Sequence, residues 1–150
     1  MAAEIIQEMV HVPSHIYLQA GVGGMAGAMA ACFRNAWGDV PIITVVEPAY
    51  APALTNSIVE GKFVSTSGPV SDMGRLDCKE ASLIALAGLS RDANSFVTLT
   101  EKECLDAIKV LPKYNLDTSS SGGAGIAAMM MSDLPADARV LCILSEGPDE

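Results

Sequence analysis

The chain is poor in histidine and in positive charge. Its two histidines, His11 and His15, both precede the first glycine-rich turn. A zinc site built on imidazole is therefore not expected. Nine basic residues stand against 18 acidic ones, a net charge of −9. That balance argues against a nucleic-acid surface or an anionic-membrane surface. It still permits a local phosphate site, because backbone amides can build one. The four cysteines, Cys32, Cys78, Cys104 and Cys142, contain no CxxC pair, and they read as reduced, structural thiols without a metal. No apolar run reaches the roughly 18 residues of a membrane span. The first residues lack the basic region and long apolar core of a signal peptide, so the cytoplasm is the expected location. No internal repeat or low-complexity segment is visible.

What is present is apolar and glycine-punctuated. Apolar residues make up 50% of 150, and the mean hydropathy is +0.34. That composition predicts either a mostly buried α/β core or apolar surface that expects a cover. One domain over residues 1–150 is the natural prior for this length. The organising stretch is HIYLQAGVGGMAGA, from His15 to Ala28. Ile16, Tyr17 and Leu18 are strand formers. Gly21, Gly23 and Gly24 permit backbone conformations that a Cβ would block. Small apolar residues from Met25 to Phe33 then suit a helix packed closely on a sheet. A strand that empties through glycines into a helix N-terminus can cradle an anion on unpaired N–H groups. The alternative is a glycine turn required only for close packing.

The rest of the chain alternates. Ala2 to Val10 reads as a helix with Ile5, Ile6 and Met9 on one face. IITVV, Ile42 to Val46, is a buried β-branched strand closed by Glu47-Pro48. A helix is expected over Ala51 to Val59 and a short strand over Lys62 to Thr66. Ser67 to Lys79 reads as loop, and helical character returns from Glu80 to Leu89. Phe96 to Leu99 reads as a strand. Thr100 and Glu103 have the spacing of a capping box, opening a helix that Pro112 should end. Thr118 to Met131, TSSSGGAGIAAMMM, again sets small polar residues before an apolar helix. VLCIL, Val140 to Leu144, is the last expected strand, and Ser145-Glu146-Gly147 is its exit turn. The pattern predicts an α/β fold with a mainly parallel sheet covered by helices on both faces. Ligands of such sheets bind beyond the carboxyl ends of the strands. Gly21 to Met25 and Ser145 to Gly147 both occupy such ends.

The glycine turn admits two readings. Gly21, Gly23 and Ala26 fit G-x-G-x-x-A, with Glu47 at the end of the next strand. This is the pattern of a dinucleotide-binding unit in which the acid takes the ribose hydroxyls. The second reading uses more of the chain. AGVGGMAG resembles the phosphate-binding loop of the fold type II pyridoxal-phosphate enzymes, the tryptophan synthase β-like family. VVEP at Val45 to Pro48 resembles the strand after that loop. GRLDCKEAS at Gly74 to Ser82 resembles a segment of diaminopropionate ammonia-lyases, and SSGGAG at Ser120 to Gly125 their serine–glycine helix start. ILSEG at Ile143 to Gly147 resembles their last strand exit, where a hydroxyl meets the pyridine nitrogen. The five run in the family's order.

The resemblance implies part of the large domain of a fold type II enzyme, with pyridoxal phosphate as cofactor and a small amino acid as substrate. It implies a β-elimination giving an α-keto acid and ammonia. Gly21, Val22, Gly23, Gly24 and Met25 would hold the phosphate, and Ser145 the ring nitrogen. The family's Schiff-base lysine belongs to a segment with no counterpart here. Lys62, Lys79, Lys102, Lys109 and Lys113 lie in stretches that do not resemble it. The expectation is therefore a C-terminal portion, without catalytic residues of its own and inactive alone, completed by an N-terminal segment or a homo-oligomer. The alternative is a non-catalytic cofactor-binding remnant or subunit.

Overall fold

Runs of β-branched and apolar residues form the strands of the structure, a computed structural model that describes residues 1–148. They are β1 (His15–Gln19), β2 (Ile42–Pro48), β3 (Ser95–Leu99) and β4 (Val140–Cys142). The four make one sheet in the order β3-β2-β1-β4, and every pairing is parallel. Parallel neighbours need crossovers, and helices provide them. These are α2 (Gly24–Trp37), α3 (Ala53–Glu60), α4 (Leu83–Asp92), α5 (Glu101–Ile108) and α6 (Ser120–Met130), while α1 (Ala2–Glu8) precedes the first strand.

Alternation along the strands divides the core in two. Ile16, Leu18, Ile43 and Val45 face a cluster that includes Leu54 of α3 and Leu89 of α4. α2 adds Ala26, Met29, Ala30 and Phe33, spaced i, i+3, i+4 and i+7, the stripe that one helical face presents. Tyr17 and Val46 face the opposite cluster, with Cys104 and Ala107 of α5 and Ala124, Ala127 and Ala128 of α6. The expected α/β fold with helices on both faces of a parallel sheet is what forms. The apolar surface implied by the composition lies partly on α4, where Ile84 is 88% exposed.

The connections place the ends of β1 and β4 at a special position. From β1 the chain moves outward through β2 to β3, then returns through α5 and α6 to β4 on the other side of β1. The gap between β1 and β4 is thus the topological switch point, where open parallel sheets bind ligands.

Some expected elements take other forms. Lys62 to Thr66 is not a strand. The Val64 amide donates to Ser57 Oγ at 3.1 Å and the Thr66 amide to the Lys79 carbonyl at 2.8 Å, so the segment has no ladder partner. The expected strand Val140 to Leu144 stops at Cys142, and the Ile143 carbonyl accepts from the Gln19 side chain at 2.9 Å. α5 ends at Ile108, before Pro112, which sits in a separate 3₁₀ turn, Leu111–Tyr114. β2 runs through Glu47 to Pro48, which pairs with Leu99.

Candidate functional site at the switch point

The glycine turn connects β1 to α2, and its glycines are required for different reasons. Gly23 has φ +92°, a left-handed conformation, and a Cβ there would come within 3.0 Å of Ala85 Cβ and Leu54 Cδ1. At Gly21 a Cβ would meet Cys78 Sγ at 2.9 Å and the Arg75 carbonyl at 3.0 Å. These two glycines are enforced by packing. Gly24 differs, because a Cβ there would have no heavy atom within 4 Å.

Gly24, Met25 and Ala26 form the first turn of α2, where a helix has no acceptor for its own N–H groups. The structure satisfies the equivalent turns of four other helices with side chains. Ser82, Thr100 and Ser119 cap α4, α5 and α6. The Glu47 carboxylate accepts from the Leu54 and Thr55 amides of α3 at 2.8 and 2.7 Å. α2, the longest helix at 14 residues, has no side-chain cap and no acid in its first turn. Its amides and dipole are open to an anion.

Across a cleft of ≈ 220 Å³ from this turn lies Ser145, at the exit of β4. The cleft brings together every residue expected at the site: Gly21, Val22, Gly23, Gly24, Met25 and Ser145. Arg75, Leu76 and Cys78 of the Gly74 to Ser82 segment close one side. The SSGGAG helix start contributes no lining residue. Its glycines answer to close packing instead. A Cβ on Gly122 would fall 2.4 Å from Thr118 Oγ1, and one on Gly123 2.2 Å from Ile108 Cδ1.

Two residues, Gln19 in the lining of the cleft and Glu146 next to Ser145, carry more than the sequence reading gave them. Gln19 is 1% exposed, and its Nε2 donates to the Gly122 carbonyl at 2.9 Å, the Ile143 carbonyl at 2.9 Å and Ser145 Oγ at 3.1 Å. The signal was available: an amide in an otherwise apolar strand, IYLQA, must find partners when buried. Glu146 accepts from Ser119 Oγ and pairs with Arg75 Nε, while its carbonyl accepts from Thr118 Oγ1 at 2.8 Å. The carboxylate beside Ser145 is thus committed to α6 and Arg75.

Glu47 corrects the dinucleotide reading. It is fully buried, and both carboxylate oxygens are bound to α3, one of them also accepting from Thr55 Oγ1 at 2.6 Å. Burial pushes its carboxyl above the ordinary value of 4.5, and the hydrogen bonds from Thr55 and Leu54 pull the other way. A carboxylate in this position caps a helix and is unavailable to a ribose.

None of the lysines lines the cleft. Lys79 Nζ is held by the Tyr50 carbonyl at 2.8 Å, the Pro69 carbonyl at 2.8 Å and Asp77 Oδ1 at 2.6 Å. Lys62, Lys102, Lys109 and Lys113 are exposed. Among the thiols, burial raises Cys104 to about 11 and Cys142 to about 12, so both stay protonated at neutral pH.

The pattern of the family described as "Pyridoxal-phosphate dependent enzyme" matches residues 1–146. Diaminopropionate ammonia-lyase of Escherichia coli (strain K12) is 28% identical over 166 aligned residues, covering 97% of this chain and 42% of the relative. The protein of that name from Salmonella typhimurium is 30% identical, covering 91% and 39%. The chain therefore spans about two fifths of the length of these curated relatives. The crystal structure of the E. coli protein in complex with an aminoacrylate-PLP azomethine reaction intermediate superposes with a TM-score of 0.85 at 27% identity, over 97% of this chain and 42% of that one. The processed form of threonine deaminase isoform 2 from Solanum lycopersicum shares the fold, with a TM-score of 0.86 at 19% identity over 99% and 42%.

Proposed function

The chain belongs to the family of pyridoxal-phosphate dependent enzymes, and on that premise we propose that it forms the phosphate- and ring-nitrogen-binding part of an ammonia-lyase. The reaction is β-elimination from diaminopropionate or a related amino acid, giving an α-keto acid and ammonia. The observation that carries this reading is the uncapped N-terminus of α2, open at Gly24 and facing Ser145 across one cleft.

When bound, the cofactor supplies an electron sink for the charge that develops at the substrate's Cα. The chain's own residues have two tasks. The amides of Gly21, Val22, Gly23, Gly24 and Met25, with the α2 dipole, carry the phosphate's negative charge. Ser145 presents a neutral hydroxyl to the pyridine nitrogen. A carboxylate there would favour a protonated ring, but Glu146, the nearest in sequence, is occupied by Arg75 and Ser119.

Proton transfer at the substrate is not assigned to this chain. With Lys79 held by three acceptors and the other four lysines exposed, no amine faces the cleft. General acid–base help of the missing kind is worth about 10²–10⁴-fold. The 150-residue chain with added pyridoxal phosphate should release no measurable ammonia from diaminopropionate, serine or threonine. Robust turnover would overturn this division of labour.

A further inference from the structure

We propose that Gln19 is a positioning residue that fixes the Ser145 hydroxyl as a donor into the cleft. The Gln19 amide has only one workable orientation. Nε2 faces the carbonyl oxygens of Gly122 and Ile143, each at 2.9 Å. Turning the amide over would bring Oε1 against two acceptors, so the carbonyls lock the orientation. Oε1 is left buried without a hydrogen-bond partner among the described residues. A Cβ on Gly125 would approach it to 2.9 Å, so the glycine makes room for this rotamer. A buried acceptor without a partner is costly, and the structure carries that cost while keeping the donor end where it is.

The consequence falls on Ser145. An amide NH₂ donates and cannot accept. Its two hydrogens serve three acceptors, so the one that reaches Ser145 Oγ at 3.1 Å is shared with a backbone carbonyl; Oγ is the acceptor in that contact, and its own hydrogen must point away from Gln19. Ser145 lines the cleft, so the hydrogen is free for an acceptor there. An unprotonated pyridine nitrogen is such an acceptor, and a protonated one is not. Gln19, which also lines the cleft, thereby selects the protonation state of the ring through the Ser145 hydroxyl. This inference rests on the cofactor reading above.

The test uses the full 150-residue chain and two probes, inorganic phosphate and 4′-deoxypyridoxine 5′-phosphate. The second keeps the ring nitrogen and the phosphate but has no aldehyde, so it cannot label lysines. Affinity for it, divided by affinity for inorganic phosphate at the same pH, isolates the ring contact. In the wild type this ratio should rise with pH as the free ring loses its proton. The nitrogen-15 shift of the bound ring should be that of the unprotonated form. In Gln19→Glu the single proton of the buried carboxyl goes to the Gly122 or Ile143 carbonyl, and a carboxyl oxygen then accepts from Ser145 and turns the hydroxyl around. The ratio should drop about 3- to 10-fold, the scale of one neutral hydrogen bond, and its pH slope should reverse. Ser145→Ala should lose the ratio alone, and neither variant should change phosphate affinity.

A Gln19→Glu variant that keeps the wild-type ratio, pH slope and ring shift overturns the proposal, as does a wild type that binds the ring protonated. A wild type that binds neither probe overturns the cofactor reading and this inference with it. A wild type that binds both probes, with Ser145→Ala unchanged, overturns the role of Ser145 and leaves the phosphate cradle standing. If Gln19→Glu does not fold, the Gln19 side-chain NH₂ resonances of the wild type decide the matter. They should shift with the ring probe and hold still with phosphate, and the absence of that difference overturns the proposal.

Discussion

Gly23 and Gly24 are neighbours under opposite constraints. A side chain at Gly23 would require a left-handed backbone and would press on Ala85 and Leu54. Gly23→Ala should destabilise the fold by about 1–3 kcal/mol through strain and overpacking. Gly24 opens α2 with free space around its missing Cβ. Gly24→Ala should keep or raise the melting temperature, since alanine suits a helix better than glycine, yet weaken phosphate binding by obstructing the cradle. Thermal melts of both variants, paired with phosphate titrations, check this. Equal loss of stability in both would mean that the turn serves packing alone. The sequence showed three glycines and could not separate these roles, because the difference lies in what packs against each.

At the scale of elements, the N-terminus of α3 is held by an acid from β2. Burial raises the folded-state carboxyl of Glu47 above its ordinary 4.5. The folded protein thus holds that proton more tightly than the unfolded chain does. Stability gained from protonation is fully present below about 4.5 and is lost as pH rises through the folded value. Relative to Glu47→Gln, which does not titrate, wild-type stability should therefore fall as pH rises above about 4.5. Denaturant unfolding of both proteins across that range measures it. A difference that stays constant or grows in favour of the wild type would show that the three hydrogen bonds outweigh burial.

The same element explains what was legible. The strand IITVV, the Thr100–Glu103 capping box and the small-residue face of α2 are local patterns, and all three form. The fate of Lys62 to Thr66 depended on whether a neighbouring strand would offer a ladder, and Ser57 and Lys79 took its amides instead. The early end of β4 depended on Gln19, over 120 residues away. Glu47 fitted a ribose-binding motif by spacing, while its burial against α3 became visible only in three dimensions.

For the whole molecule, the parallel order β3-β2-β1-β4 sets the glycine turn and Ser145 side by side, although about 120 residues separate them in the chain. The resemblance to fold type II enzymes rested on short motifs in order, and the fold explains why those motifs share one end of the sheet. The central claim is that this end binds pyridoxal phosphate through the N-terminus of α2. Backbone amide spectra of the nitrogen-15-labelled chain test it directly, with inorganic phosphate, pyridoxal phosphate and NAD added in turn. Phosphate should shift the amides of Gly21 to Met25, pyridoxal phosphate should shift these and Ser145, and NAD should leave them unmoved. Unshifted amides at Gly21 to Met25, or tight NAD binding that Glu47→Ala abolishes, would contradict the account.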